Sequence, residues 1–343
     1  MNILMALSQL EMTGSEVYAA TLSNELIRRG HKVYILSDTL TKNTDAKFTK
    51  FEFSRRSLIN RISHVRFLLD YFKRHNIQIV HAHARAAGWS CSIACRLAKI
   101  PMITTSHGRQ ALHLSRRLFP AFGNHIIAVC ENIKEHLIDD LSIDKNKITV
   151  IRNGFNTDAF APNDVQSINK KPLVLLIGRF TGPKGDVAIK LLQEIFEYDK
   201  YNVRVIGGAV IPERFEVFRD RADIIGYTKN IQTHITKADL VVGAGRVAIE
   251  ALLMGKPVVS IGEACNPGLV TESNLSEQMK SNFGDVLPDN SCNYDFEALK
   301  KDIIAGLESN DTGHKLRELI VEECDIKGIA NKIQKIYKLV ING

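Results

Sequence analysis

Leu175-Leu176-Ile177-Gly178-Arg179-Phe180-Thr181-Gly182-Pro183-Lys184-Gly185 reads as an apolar strand that runs into a glycine-rich basic loop and then a helix. Glycines let a backbone approach a ligand closely, and the unpaired N–H groups of a helix's first turn favour an anion. Arg179 is suited to bidentate binding of phosphate oxygens, and Lys184 adds a point charge. The spacing is neither that of a GxxxxGK[ST] phosphate loop nor that of a GxGxxG dinucleotide fingerprint. A basic turn with two solvated side chains is the plain alternative. In open α/β sheets ligands bind beyond the carboxyl ends of the strands, so a strand ending in an anion site points to that fold class.

The segment Ala238–Val259 has the same grammar. A buried strand meets the turn Gly243-Ala244-Gly245, then a short helix from Arg246 that Gly255 stops before Pro257 opens the next strand. Gly243 and Gly245 leave room for a diphosphate at the helix start. Glu250 sits in an otherwise apolar helical stretch, where a carboxylate is costly unless paired. Vicinal ribose hydroxyls would pair with it, and so would Arg246 or nearby backbone.

Outward from these two stretches, short apolar strands alternate with amphipathic helices along the whole chain. In the first half strands fit Asn2–Leu7, His31–Leu36, Ile77–His81, Met102–Ser106, Ile126–Cys130 and Ile148–Ile151. A loop at Thr13-Gly14-Ser15 precedes a helix near Ser15–Arg29 that Gly30 stops. The pattern resets over Gly154–Lys171, polar and punctuated by Pro162, which reads as a linker. Strands then fit Leu173–Ile177, Val203–Gly207, Asp223–Gly226, Leu240–Val242 and Pro257–Ile261. Helices near Phe296–Leu307, Lys315–Glu322 and Gly328–Val340 close the chain. Alternation of this kind predicts two Rossmann-like, doubly wound parallel-sheet α/β domains facing an interdomain cleft. The expected division is residues 1–160, residues 161–325, and a closing helix in 326–343 that packs back on the first domain.

The 343 residues suit two such domains, and 45% hydrophobic with 24% charged residues describes a globular chain. No apolar run approaches the roughly 20 residues of a membrane-spanning helix. The N-terminus reads as a first strand and not as a secretion signal, so a cytoplasmic location is expected. Six cysteines at irregular spacing, with no CxxC pair, read as buried thiols and not as a metal site; Cys91 and Cys95 share a helix face. The net charge of +7 is confined to the first half: residues 1–165 hold 22 Lys and Arg against 14 Asp and Glu. That asymmetry suggests an anionic partner, and no nucleic-acid-binding motif accompanies it.

Taken together, these pieces resemble the retaining GT-B glycosyltransferases of the group 1, or family 4, class. The resemblance runs through Gly14-Ser15-Glu16, Arg29-Gly30-His31-Lys32-Val33, His81-Ala82-His83 and Thr105-Ser106-His107-Gly108. It continues in Val150-Ile151-Arg152-Asn153-Gly154-Phe155-Asn156, the Gly178–Gly185 loop and the Gly243–Pro257 segment. It implies that Arg179 and Lys184 hold the diphosphate of a nucleotide sugar, with Gly178, Gly243, Gly245 and Arg246 lining that end of the site. It implies that Glu250, the second Glu of an E-x7-E motif, binds the ribose. Gly14 would lie against the donor, and His107 would reach the transferred sugar, with a strand-end histidine bonded to backbone as the alternative. The first Glu of the motif, which contacts the donor sugar, falls on Val242; Glu263 and Glu272 are candidates to take its place.

The implied reaction is transfer of a sugar, UDP-linked by preference, to a hydroxyl of a glycan or lipid-linked glycan, in lipopolysaccharide, polysaccharide or glycolipid synthesis. Retention of configuration is expected. No D-x-D motif occurs, so the basic pair is expected to act without a metal, and no cofactor is expected. Residues 53–74 combine Arg55, Arg56, Arg61, Arg66, Lys73 and Arg74 with Phe53, Leu58, Ile59, Ile62, Phe67, Leu68 and Leu69. Such a stretch lies on an anionic membrane face or packs on the sheet with a solvated basic side; Arg109, Arg116 and Arg117 extend the charge. A sugar-nucleotide epimerase on the same fold, and a non-catalytic nucleotide-sugar-binding module favoured by Val242, are the alternatives.

Overall fold

The computed structural model describes residues 1–8, 13–55, 57–110, 112, 119–162, 171–208, 211–228, 230–289, 291–309 and 313–343. Arg56, Arg116 and Arg117 lie outside the described residues, as do residues 163–170 of the expected linker. Two compact units divide the chain: Met1–Asn156 with Glu323–Gly343, and Thr157–Glu322. These crossings fall a few residues before the boundaries at 160 and 325 drawn from the sequence.

The first unit holds a seven-stranded sheet of β1 (Asn2–Ala6), β2 (Lys32–Ser37), β3 (Lys47–Lys50), β4 (Ile79–Ala82), β5 (Met102–Ser106), β6 (His125–Ala128) and β7 (Ile148–Val150). The order is β3-β2-β1-β4-β5-β6-β7, and every neighbouring pair is parallel. Central parallel strands are covered on both faces and so read as unbroken apolar runs; all four residues of β4 are buried. Helices α1 (Gly14–Arg28), α2 (Leu58–His75), α3 (Arg85–Ala98) and α4 (Glu131–Asp139) connect them. Gly30, at φ +85°, ends α1 as expected: its N–H donates to Ile27 O at 2.8 Å, and His31 N–H donates to Leu26 O at 3.1 Å.

The second unit holds β8 (Leu173–Ile177), β9 (Asn202–Ile206), β10 (Ala222–Ile225), β11 (Leu240–Gly243), β12 (Val258–Ser260) and β13 (Gly268–Leu269), in the order β10-β9-β8-β11-β12-β13. All pairs are parallel except β12 with β13. Its helices include α5 (Pro183–Lys190), α6 (Ile231–Lys237), α7 (Arg246–Leu253), α8 (Leu275–Lys280) and α9 (Phe296–Glu308); α10 (His314–Cys324) leads out of it. In each sheet the winding reverses once, between β1 and β4 and between β8 and β11. Those reversals leave a crevice at the strands' carboxyl ends.

The closing helix α11 (Ile326–Asn342) belongs to the first unit. Ile326, Ile329, Ala330, Ile333, Ile336 and Tyr337 form its buried face and join Ile3, Met5, Leu22 and Ile35 in one core.

Several expectations need correction. The linker does not begin at Gly154: Phe155 is buried, its N–H donates to Cys324 O at 2.8 Å, and Ile326 N–H donates back to Phe155 O at 2.9 Å. A Cβ on Gly154 would lie 2.5 Å from Ile326 Cδ1, so this crossing needs glycine. Gly14 opens α1 and is not a loop residue; the Thr13 side chain caps it by accepting from Glu16 N–H. β3 and β13 were not anticipated. Cys91, Cys95, Cys130 and Cys324 are buried, but Cys265 is half-buried and Cys292 exposed.

The basic stretch 53–74 divides. Phe53 and Leu68 are buried, and Phe67 and Leu69 pack on the same core. Arg61 stacks on Trp89 at 4.7 Å and donates to Ala86 O and Ser90 Oγ. At the start of α2, Leu58, Ile59 and Ile62 are 73%, 79% and 50% exposed, and Arg55 and Arg66 are exposed beside them. No helix of the described residues is long and apolar enough to cross a membrane.

Candidate functional site

The reversal between β8 and β11 brings the two glycine loops of the second unit side by side. Val242 pairs with Leu176, one residue from the end of each strand. A Cβ on Gly243 would lie 3.0 Å from Ile177 O and 2.9 Å from Val247 Cγ1, so glycine permits this closeness. Gly178 follows β8, and its N–H donates to Ile206 O at 3.1 Å. Arg179 is exposed, with its Cγ on the side of Gly208. Gly182 and Pro183 start α5, and a Cβ on Gly185 would lie 2.3 Å from Phe180 O. That close turn sets Lys184 in the first turn of α5, half-buried.

Lys184 Nζ lies 2.8 Å from Asp285 Oδ1. The same carboxylate faces the start of α7, where a Cβ on Gly245 would meet Asp285 Oδ2 at 2.8 Å. Gly245 N–H donates to Asn282 O at 3.1 Å. Lys184 and the N-terminus of α7 therefore meet at one point, joined through Asp285. One turn into α7, Glu250 is 9% exposed, and its Oε1 accepts from Arg246 Nη2 at 2.9 Å.

At the β1/β4 reversal of the first unit stands a buried histidine cluster. His81 closes a chain of side chains: its Nδ1 is 2.8 Å from Tyr337 Oη on α11, and its Nε2 is 2.7 Å from Thr105 Oγ1 on β5. His83 stacks on His81 at 4.2 Å, and its Nδ1 is 3.2 Å from His107 Nε2. Tyr18 of α1 packs edge-on against both His83 and His107, at 5.8 and 5.5 Å. His83 and His107 line a pocket of about 220 Å³ together with Arg85, Ser106, Arg109 and Gln110. Arg109 is tied to Asp140 at 2.9 Å.

A profile described as Glycosyltransferase Family 4 matches residues 12–159. The Escherichia coli enzyme named UDP-Gal:alpha-D-GlcNAc-diphosphoundecaprenol alpha-1,3-galactosyltransferase is 31% identical over 150 residues. That match takes in 40% of this chain and only 38% of that protein. Among solved structures, a glycosyltransferase from Rickettsia africae ESF-5 is similar with a TM-score of 0.79 and 21% identity, covering 100% of this chain and 99% of that one. Anabaena HepE, solved with UDP-glucose, is similar with a TM-score of 0.77 and 16% identity, covering 99% of this chain and 100% of that one. The family 4 profile thus covers most of the first unit, and the solved structures show that the whole chain has the GT-B fold.

The sequence-derived residues fall into three places. Gly178, Arg179, Lys184, Gly243 and Gly245 lie at the carboxyl end of β8 and β11. Arg246 and Glu250 hold one another on α7, the alternative pairing foreseen for that glutamate. His107 and Gly14 lie in the first unit, where His107 Nε2 is 3.2 Å from His83 Nδ1. Asp285, Asn282 and Tyr337 were missed. Asp285 follows a Gly within a short polar loop, a weak signal, and Tyr337 meets His81 across 256 residues of sequence.

Val242 is fully buried within the apolar core of the second unit and presents nothing to the site. Glu272, one of the candidates to take the place of the motif's first Glu, is paired with Lys315.

Burial holds His81 down to about 3, with repulsion from His107 as a smaller cause, and holds His83 well below 6.5. Unfolding exposes both rings, and each then titrates near 6.5. Between these limits the unfolded state binds more protons, so stability falls as pH drops from 6.5 toward 3. The expected loss is about 1.4 kcal/mol per histidine at pH 5.5 relative to neutral pH. Urea unfolding at pH 7.5 and 5.5 checks this, with His81→Gln reducing the difference by about 1.4 kcal/mol. Equal pH sensitivity in the wild type and the variant contradicts it.

Proposed function

We propose that the chain transfers a hexose from a UDP-sugar to a hydroxyl of a lipid-linked glycan in cell-envelope polysaccharide or lipopolysaccharide synthesis. The observation that carries this reading is the meeting of Lys184 with the N-terminus of α7 at the β8/β11 reversal. In the transition state negative charge grows on the β-phosphate of the leaving UDP. Lys184, Arg179 and the first-turn N–H groups of α7 would stabilise it, which in a water-poor site is the largest kind of catalytic effect. The basic residues then take the part a divalent metal plays elsewhere, and the reaction is proposed to be metal-independent. Glu250 would accept from the ribose hydroxyls through the carboxylate oxygen that Arg246 does not hold. His107 would act at the transferred sugar, oriented by His83. Retention is proposed because the class resembled retains.

Two similarities support the donor and the acceptor. HepE was solved with UDP-glucose, and the E. coli relative is named for UDP-galactose and a diphosphoundecaprenol-linked acceptor. The exposed Leu58, Ile59 and Ile62 beside Arg55 and Arg66 suit contact with an anionic bilayer from the inner face.

The test is a transfer assay with UDP-glucose and UDP-galactose on a diphospholipid-linked monosaccharide in phosphatidylglycerol liposomes, with excess chelator present. The expected product is an α-linked disaccharide, formed faster on anionic than on neutral liposomes. Free epimerised sugar without any linked product would replace this reading with the epimerase one.

A further inference from the structure

The geometry points to Asp285 as the residue that holds a hydroxyl of the transferred sugar and sets which hexose is accepted. This rests on the proposed UDP-sugar reading. Asp285 is placed where that role demands a carboxylate. It touches Lys184 on one side, at 2.8 Å, and the helix start at Gly245 on the other. Those are two of the three groups proposed to hold the diphosphate. An ionised carboxylate only accepts hydrogen bonds, so it cannot share a phosphate oxygen. It does bind the part of the ligand next to the phosphates that carries O–H donors, which is the sugar. Position 242 supplies no such group, since Val242 is buried in the core.

The backbone that presents Asp285 is held in an unfavourable shape. Asn282, Phe283 and Gly284 have successive φ values of +52°, +60° and +95°, the left-handed region that side chains other than glycine avoid. Such strain persists only when the surroundings fix it, and it concentrates at ligand sites. Here the surroundings are explicit. Phe283 is buried as an anchor. Gly284 O accepts from Ala264 N–H and Cys265 N–H at 3.0 and 3.1 Å, and Gly284 N–H donates to Ser281 Oγ at 2.9 Å. Gly262 lies so close that a Cβ there would be 2.4 Å from Asp285 N. Glycine at 245 likewise leaves space that the Asp285 carboxylate fills.

The experiment is calorimetric titration of UDP, UDP-glucose and UDP-galactose into the full chain and into Asp285→Asn, with melting curves to confirm folding. Removing the negative charge beside Lys184 should leave UDP binding as tight or tighter. The affinity advantage of the preferred UDP-hexose over UDP should fall about tenfold, the worth of one charged hydrogen bond. Loss of UDP and UDP-hexose binding by the same factor would make Asp285 a structural partner of Lys184 and overturn the inference, as would an unchanged ratio. Wild-type chain that binds neither UDP nor a UDP-hexose would instead remove the donor reading itself, and this inference with it. Should Asp285→Asn not fold, Asp285→Glu gives the same readout. Its longer side chain displaces the carboxylate and is expected to lower the ratio, and an unchanged ratio overturns the inference there too.

Discussion

Replacing Lys184 by alanine is expected to lower kcat/KM for hexose transfer by about 10²–10³-fold, the usual effect of deleting one preorganised group that meets developing transition-state charge. The expectation follows from position. Lys184 is in the first turn of α5, and its ammonium reaches the start of α7 across Asp285. Two helix N-termini and one cation therefore converge where a leaving diphosphate would gain charge. Arg179→Ala is expected to act in the same direction, and the double variant by less than the product of the two, because the groups act on one charge. Steady-state rates with saturating acceptor check this. Full turnover in both single variants, with normal melting, contradicts the assignment. Removing Lys184 also leaves Asp285 without its ion-pair partner, so melting curves separate a lost fold from a lost catalyst.

Deleting residues 326–343 is expected to abolish cooperative folding of the first unit. α11 places Ile326, Ile329, Ile333, Ile336 and Tyr337 in the core that also holds β1 and β2. Each fully buried side chain of this size is worth about 1.5–3 kcal/mol. Five of them approach the roughly 5–15 kcal/mol that stabilises a whole domain. The deletion also removes acceptors for Arg29, which donates to Asn331 Oδ1, Gln334 Oε1 and Lys327 O. Ile333→Ala alone should cost about 2–5 kcal/mol. Urea unfolding of the truncated chain should show the transition of the second unit only. A truncated chain that keeps both transitions at their original midpoints would mean that α11 is dispensable to that core.

The parts of this structure that were legible in the sequence are those set by local physics. Runs such as Leu173–Ile177 and Met102–Ser106 lie buried on both sides, so composition alone declares them. Gly30 marks a helix stop because only glycine takes φ +85° cheaply. Gly185 and Gly243 mark close backbone approaches, and those approaches make the site.

What was not legible depends on partners far off in sequence or on context. β3, Lys-Phe-Thr-Lys, is an exposed edge strand, and nothing in its polarity separates it from a loop. Gly154 and Phe155 sit in a polar stretch that resembles a linker, yet the returning chain at Cys324–Ile326 pairs with them. The helix α2 has one pattern but two fates, its later turns packed and its first turn exposed. Asp285 gained meaning only when three left-handed residues turned it toward Lys184.

The most direct test of the central claim is the binding of UDP to the wild-type chain and to Lys184→Ala, measured side by side with uridine. The account predicts that UDP binds the wild type at least tenfold more tightly than the variant, while uridine binds both alike, since only the diphosphate meets that ammonium. Equal UDP affinity in the two proteins would place the diphosphate somewhere other than the crevice between β8 and β11.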